Sequence, residues 1–86
     1  MPVPINPRLT LVLLLLVRAG RHDEALDELR QAAELAPEVA RFSYVYAVAL
    51  NSLGQPEAAL EVLEQARVQH PDDPEIAAFL EMLRAN

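Results

Sequence analysis

Shifted along itself by 34 positions, this chain matches its own sequence. Gly20 falls on Gly54, Ala25 on Ala59, Leu26 on Leu60, Leu29 on Leu63, Gln31 on Gln65, Ala32 on Ala66 and Pro37 on Pro71. Upstream, Leu16 falls on Leu50. An Ala- and Leu-rich composition would scatter chance identities along the chain. It would not align both glycines and a pair of prolines within one stretch. A fixed step of this length means stacked supersecondary units, none of which can bury its apolar face without a neighbour.

Each unit reads as two helices. With only two Gly and few aromatic or β-branched residues, the composition favours helix over strand, because unbranched side chains lose little rotamer freedom there. Gly20 and Gly54 end a first helix, where glycine takes the left-handed conformation at no steric cost. The second helix opens with carboxylates, Asp23 and Glu24 in one unit and Glu57 in the other, which suit the positive end of the helix dipole. Pro56 occupies a first-turn position where proline is tolerated. Ala25, Leu26, Leu29, Ala32 and Ala33 form one face, repeated by Ala59, Leu60, Leu63 and Ala66. Pro37 and Pro71 close the units by biasing the preceding residue out of the helical region.

The first helix of the second unit, about 39–53, is predicted to bury Phe42, Val45, Tyr46, Ala49, Leu50 and Leu53. A last helix, about 73–85, should bury Ile76, Phe79, Leu80 and Leu83, with Asp72 or Asp73 as its N-cap and Pro74 in its first turn. Glu75, Glu81 and Arg84 would face outward, the polarity of a helix that seals the end of an array. The expected architecture is all-α, with about five helices over 7–18, 22–35, 39–53, 56–69 and 73–85.

The two runs Gly20-Arg-His-Asp-Glu-Ala25-Leu26…Ala32…Pro37 and Gly54-Gln-Pro-Glu-Ala-Ala59-Leu60…Ala66…Pro71 resemble the second half of a tetratricopeptide repeat. The resemblance covers residues 6–86 and implies one domain over 1–86: repeat 1 about 6–39, repeat 2 about 40–73 and a C-terminal capping helix about 74–86. It further implies a TPR-like α-solenoid, a right-handed superhelical stack of antiparallel helix pairs. The first helices fit the family pattern less well. The family's usual large residue early in that helix is Leu9 in one unit and Ser43 in the other. Its usual Gly or Ala is Leu13 in the first, whereas Ala47 in the second conforms.

The resemblance implies a scaffold whose first helices line a concave groove for a peptide or helix. Mapped onto this chain, the groove would be formed by Thr10, Leu14 and Val17, then Arg41, Tyr44, Val48 and Asn51, then Ala78 and Met82. The partner-binding set is therefore Leu14, Arg41, Tyr44, Val48, Asn51 and Met82. A well-known subgroup grips a peptide's terminal carboxylate with Lys, Arg and Asn. Here only Arg41 and Asn51 are suitable, so an apolar peptide or amphipathic helix is the expected ligand. Tyr44 and Arg41 are residue types that anchor interfaces. Their simpler roles are packing on a neighbouring helix and a solvated surface charge, and Asn51 is equally suited to meeting water at a helix end.

Leu9 to Val17 is nearly continuous hydrocarbon, flanked by Arg8 and Arg18. It is too short to span a bilayer as a helix. As the apolar core of a signal peptide it lacks a small-residue cleavage site, and Arg18 and Arg21 stand where cleavage would fall. The expected location is cytoplasmic, with secretion left open. A terminal helix should keep one wet face, so apolar residues around the whole circumference demand a cover. We expect self-association as a homodimer or other homo-oligomer through Leu9, Leu13, Leu14 and Val17; a fragment of a longer array is the other explanation.

Several function classes are disfavoured. Seven basic residues, all Arg, are scattered among thirteen carboxylates for a net charge of −6, which argues against nucleic acid and against anionic membranes. With no Cys there is no thiolate metal site and no disulfide. His22 and His70 sit at unit junctions, and no HExxH, GxSxG, phosphate-loop or calcium-loop motif occurs. Asp23, Glu24, Asp27, Glu28 and Glu34 read as a solvated outer face, with a weak divalent-cation site as the alternative. No catalytic residue, metal site or cofactor is assigned, and the partner is a protein or peptide.

Overall fold

A computed structural model describes residues 20–85. They form four α-helices, α1 (His22–Leu35), α2 (Ala40–Ser52), α3 (Pro56–Gln69) and α4 (Pro74–Ala85), with no strand among the described residues. The spans expected at 22–35 and 56–69 coincide with α1 and α3. The span expected at 39–53 is shorter by one residue at each end, where Val39 and Leu53 flank α2, and that at 73–85 by one at its start, where Asp73 precedes α4. The helix expected over 7–18 lies outside the described residues.

The backbone itself repeats at the 34-residue step. Gly20 and Gly54 both take positive φ, 75° and 82°. Arg21 and Gln55 precede α1 and α3 with ψ of 61° and 62°, and Ala36 and His70 follow them with ψ of 64° in both. The turn bonds match in pairs. Ala25 and Ala59 donate to the carbonyls of Arg21 and Gln55; Ala36 and His70 donate to Ala32 and Ala66; Val39 and Asp73 donate to Ala36 and His70. The two turns are also tied together, because His70 Nε2 lies 2.9 Å from the Pro37 carbonyl oxygen. That histidine is structural.

At the end of α2 the amide of Gly54 donates to the Asn51 carbonyl and that of Gln55 to Leu50, the paired bonds that close a helix through a left-handed residue. A Cβ at Gly54 would meet nothing within 4 Å, so only its conformation resists substitution. Gly54→Ala should therefore cost about 1–2 kcal/mol through the left-handed φ alone, lowering Tm by roughly 4–16 °C in a domain of this size. Thermal unfolding followed by circular dichroism checks it. The start of α4 is held differently, by Asp73 Oδ1 accepting from the Ile76 amide at 3.0 Å.

The core lies where α3 packs between α2 and α4. Ala47, Ala59, Leu63 and Ile76 are wholly buried there, with Leu50, Ala66, Phe79, Leu80 and Leu83 around them. Alanine at 47 and 59 lets α2 and α3 approach closely. The face predicted for α2 needs correction: its buried residues are Ser43, Ala47 and Leu50, while Phe42, Val45, Tyr46 and Ala49 are half-buried and Leu53 is exposed. This helix is apolar around much of its circumference, so apolar periodicity alone does not pick a unique face. The small residues mark the true contact.

Candidate functional site

The packing of α4 beside α2 brings equivalent positions of successive units together. Arg41 and Glu75 are one step apart, as are Tyr44 and Ala78, and Val48 and Met82. The two helices leave between them a groove of about 620 Å³, lined chiefly by Tyr44, Val48, Asn51, Ala78, Phe79 and Met82. The Tyr44 ring meets Phe79 edge-on, with centroids 5.9 Å apart and planes at 65°. That contact anchors one wall in the core while the rest of Tyr44 stays half-exposed. Met82 is 52% exposed, a flexible, polarisable side chain that can adapt to what it meets.

One rim of the groove carries charge. Arg41 Nη1 donates to Glu75 Oε2 at 2.9 Å and to Oε1 at 3.2 Å. Its guanidinium carbon also sits 5.6 Å from the centre of the Tyr44 ring. Arg41 is thus neither an isolated solvated charge nor a free anion ligand, since its partner in the next helix already neutralises it. An exposed pair of this kind contributes at most about 1 kcal/mol. Its effect is to orient Tyr44 and leave the groove electrically neutral.

Of the residues singled out from sequence, the structure brings Tyr44, Val48, Asn51, Ala78 and Met82 into this one groove and places Arg41 at its edge. Leu14 and Thr10, and the self-association residues Leu9, Leu13, Leu14 and Val17, lie outside the described residues. Sequence reasoning missed Phe79 as a groove wall and Glu75 as the partner of Arg41. The second was detectable, because opposite charges one repeat apart on neighbouring helices are placed to meet.

On the acidic face of α1, Glu24, Asp27 and Glu34 are paired with arginines. Arg30 bridges Asp27 at 2.7 Å and Glu34 at 2.8 Å, Gln31 also donates to Asp27, and Arg21 pairs with Glu24. The hydrogen bond from Arg30, supplemented by Gln31, holds the Asp27 carboxyl below the usual carboxylate range. No group of three or more His, Cys, Asp or Glu placed to hold a metal ion occurs among the described residues. No described helix is long and apolar enough to cross a membrane.

On the side of α2 away from the groove, burial lifts the Tyr46 hydroxyl above the ordinary tyrosine range. Arg30 opposes the shift, and Glu34 and Asp27 add to it. The folded state prefers the neutral phenol, so this contribution to stability is complete below the unfolded tyrosine pKa of about 10. It is lost as pH rises through the folded value. Tyr46→Phe should flatten the fall in Tm above about pH 10, a comparison that melting curves at stepped pH provide.

The family model for the tetratricopeptide repeat matches residues 16–83. No curated protein and no solved structure matches the chain.

Proposed function

Because the chain belongs to the tetratricopeptide repeat family, whose repeats generally mediate protein–protein contacts, we propose that it is a non-catalytic module that holds an apolar peptide or amphipathic helix in the α2/α4 groove. The observation that carries this reading is the convergence of Tyr44, Val48, Phe79 and Met82 on one open, charge-neutral groove. An amphipathic helix would lay residues at i, i+3/i+4 and i+7 along it. Tyr44 supplies the rigid anchor and Asn51 a polar contact at one end. Residues 74–86 act as the cap of a two-repeat domain, and the protein works in the cytoplasm. The test is a pull-down in which the wild-type chain retains a protein partner and the Tyr44→Ala, Val48→Ala double variant does not.

One sequence observation favours a second reading, self-association. The run from Leu9 to Val17 contains no charged side chain, and Leu9, Leu13, Leu14 and Val17 are the residues that would meet a second copy. Light scattering at micromolar concentration decides it: a dimer mass supports it, and a stable monomer counts against it.

A further inference from the structure

We propose that the hollow beside Ser43 is a second binding site, for a small molecule with one aromatic ring and one hydrogen-bonding group. Ser43 is the polar residue buried in the core among the described residues, at 9% exposure. It stands on α2, where the equivalent position one step earlier in the chain is Leu9. Beside the short serine side chain lies a half-enclosed space of about 190 Å³, walled by Tyr46, Val62 and Ala66 and by Ala33 and Pro37 at the end of α1.

Size selects the ligand. An apolar cavity of about 150 Å³ holds one benzene molecule, so this space takes one ring and little more. Its chemistry narrows the choice further. The apolar walls are joined by the side chains of Ser43, Tyr46, Gln65, Gln69 and Glu34, which offer donors and acceptors together. Glu34 is already paired with Arg30, and Gln65 and Gln69 reach water, so the hydroxyls of Ser43 and Tyr46 are what a pure hydrocarbon would cover without bonding, whereas a phenol or an indole presents a flat apolar body with one polar hydrogen. Leucine, the residue at the equivalent position 9, has a side chain long enough to extend into this space, whereas serine leaves it open.

The site is independent of the α2/α4 groove. Tyr44 and Val48 point to one side of α2, Ser43 and Tyr46 to the other, and the two spaces share no lining residue. Failure of one reading therefore leaves the other standing.

The test is an amide NMR titration of the full chain with indole, p-cresol and toluene. Saturable shifts are expected at Ala33, Ser43, Val62 and Ala66, with p-cresol binding several-fold more tightly than toluene. At a tenfold excess of indole over its Kd the folding equilibrium should shift about elevenfold toward the native state, read as a raised Tm. Ser43→Leu should abolish the shifts while keeping the helical spectrum; if that variant does not fold, the map on the wild-type chain still decides. Absence of saturable shifts, shifts centred on Tyr44, Val48 and Met82, equal binding of toluene and p-cresol, or binding unaltered by Ser43→Leu would each overturn the proposal.

Discussion

Leu63→Ala is expected to destabilise the protein by about 2–5 kcal/mol. Leu63 is wholly buried on α3, the helix that packs against both α2 and α4, so the cavity opens at two interfaces together. The flanking helices cannot collapse onto it easily, because Ala47 and Ala59 already bring α2 and α3 close. A single domain has only about 5–15 kcal/mol of stability in all, and a chain of 86 residues belongs near the lower end. Tm should therefore fall by roughly 10 °C or more. Leu35→Ala is the matched control: Leu35 is 82% exposed, and its loss should change stability by no more than about 0.5 kcal/mol. Urea titrations of both variants measure the difference. Equal effects would mean that the α2/α3/α4 core is wrongly placed.

The second large effect is on binding. Removing the side chains of Tyr44 and Val48 together should weaken partner affinity by at least 2 kcal/mol, the loss expected for a central interface anchor. That corresponds to roughly thirtyfold in Kd. Tyr44 also packs on Phe79, so some loss of stability accompanies the change and a melting curve must show that the variant is folded at the assay temperature. Tyr44→Phe keeps the ring against Phe79 and should retain most of the affinity. Disrupting the rim with Glu75→Gln should cost far less, since the exposed Arg41–Glu75 pair is worth at most about 1 kcal/mol. A groove that binds through apolar contacts should also be nearly insensitive to salt.

Much of this architecture was legible in the sequence because a few residue types have backbone or steric consequences that outrank propensity. Gly54 marked the end of α2, and both it and Gly20 take the expected positive φ. Ala25, Ala59, Leu29 and Leu63 marked the buried stripes of α1 and α3, and all four are buried. Asp73 was one of two candidate caps, and the structure selects it. The face of α2 was not legible from apolar spacing, because Phe42, Val45, Tyr46, Val48 and Ala49 surround the helix and any of several stripes fits. Its contact with α3 is set by what is small, Ser43 and Ala47, and not by what is apolar.

The groove was traceable further than its detail. Positions 44, 48, 51 and 82 are what the family resemblance implies for the groove, and the structure brings them together. Neither the Tyr44–Phe79 contact nor the hollow beside Ser43 could be read the same way. Both depend on how side-chain volumes fill the space between helices, which no linear pattern records. The Arg41–Glu75 pair lies between these cases: its spacing is in the sequence, but its capture of the groove's rim cation is a matter of geometry.

In the proposed function, the α2/α4 groove is where another polypeptide sits. Photo-crosslinking from an amino acid placed at Val48 measures this directly, with the same group at Glu61 on the exposed side of α3 as the reference. A discrete crosslinked protein is expected from position 48, competed away by unmodified chain and absent from position 61. Crosslinks of equal yield from both positions, or from position 61 alone, would contradict it.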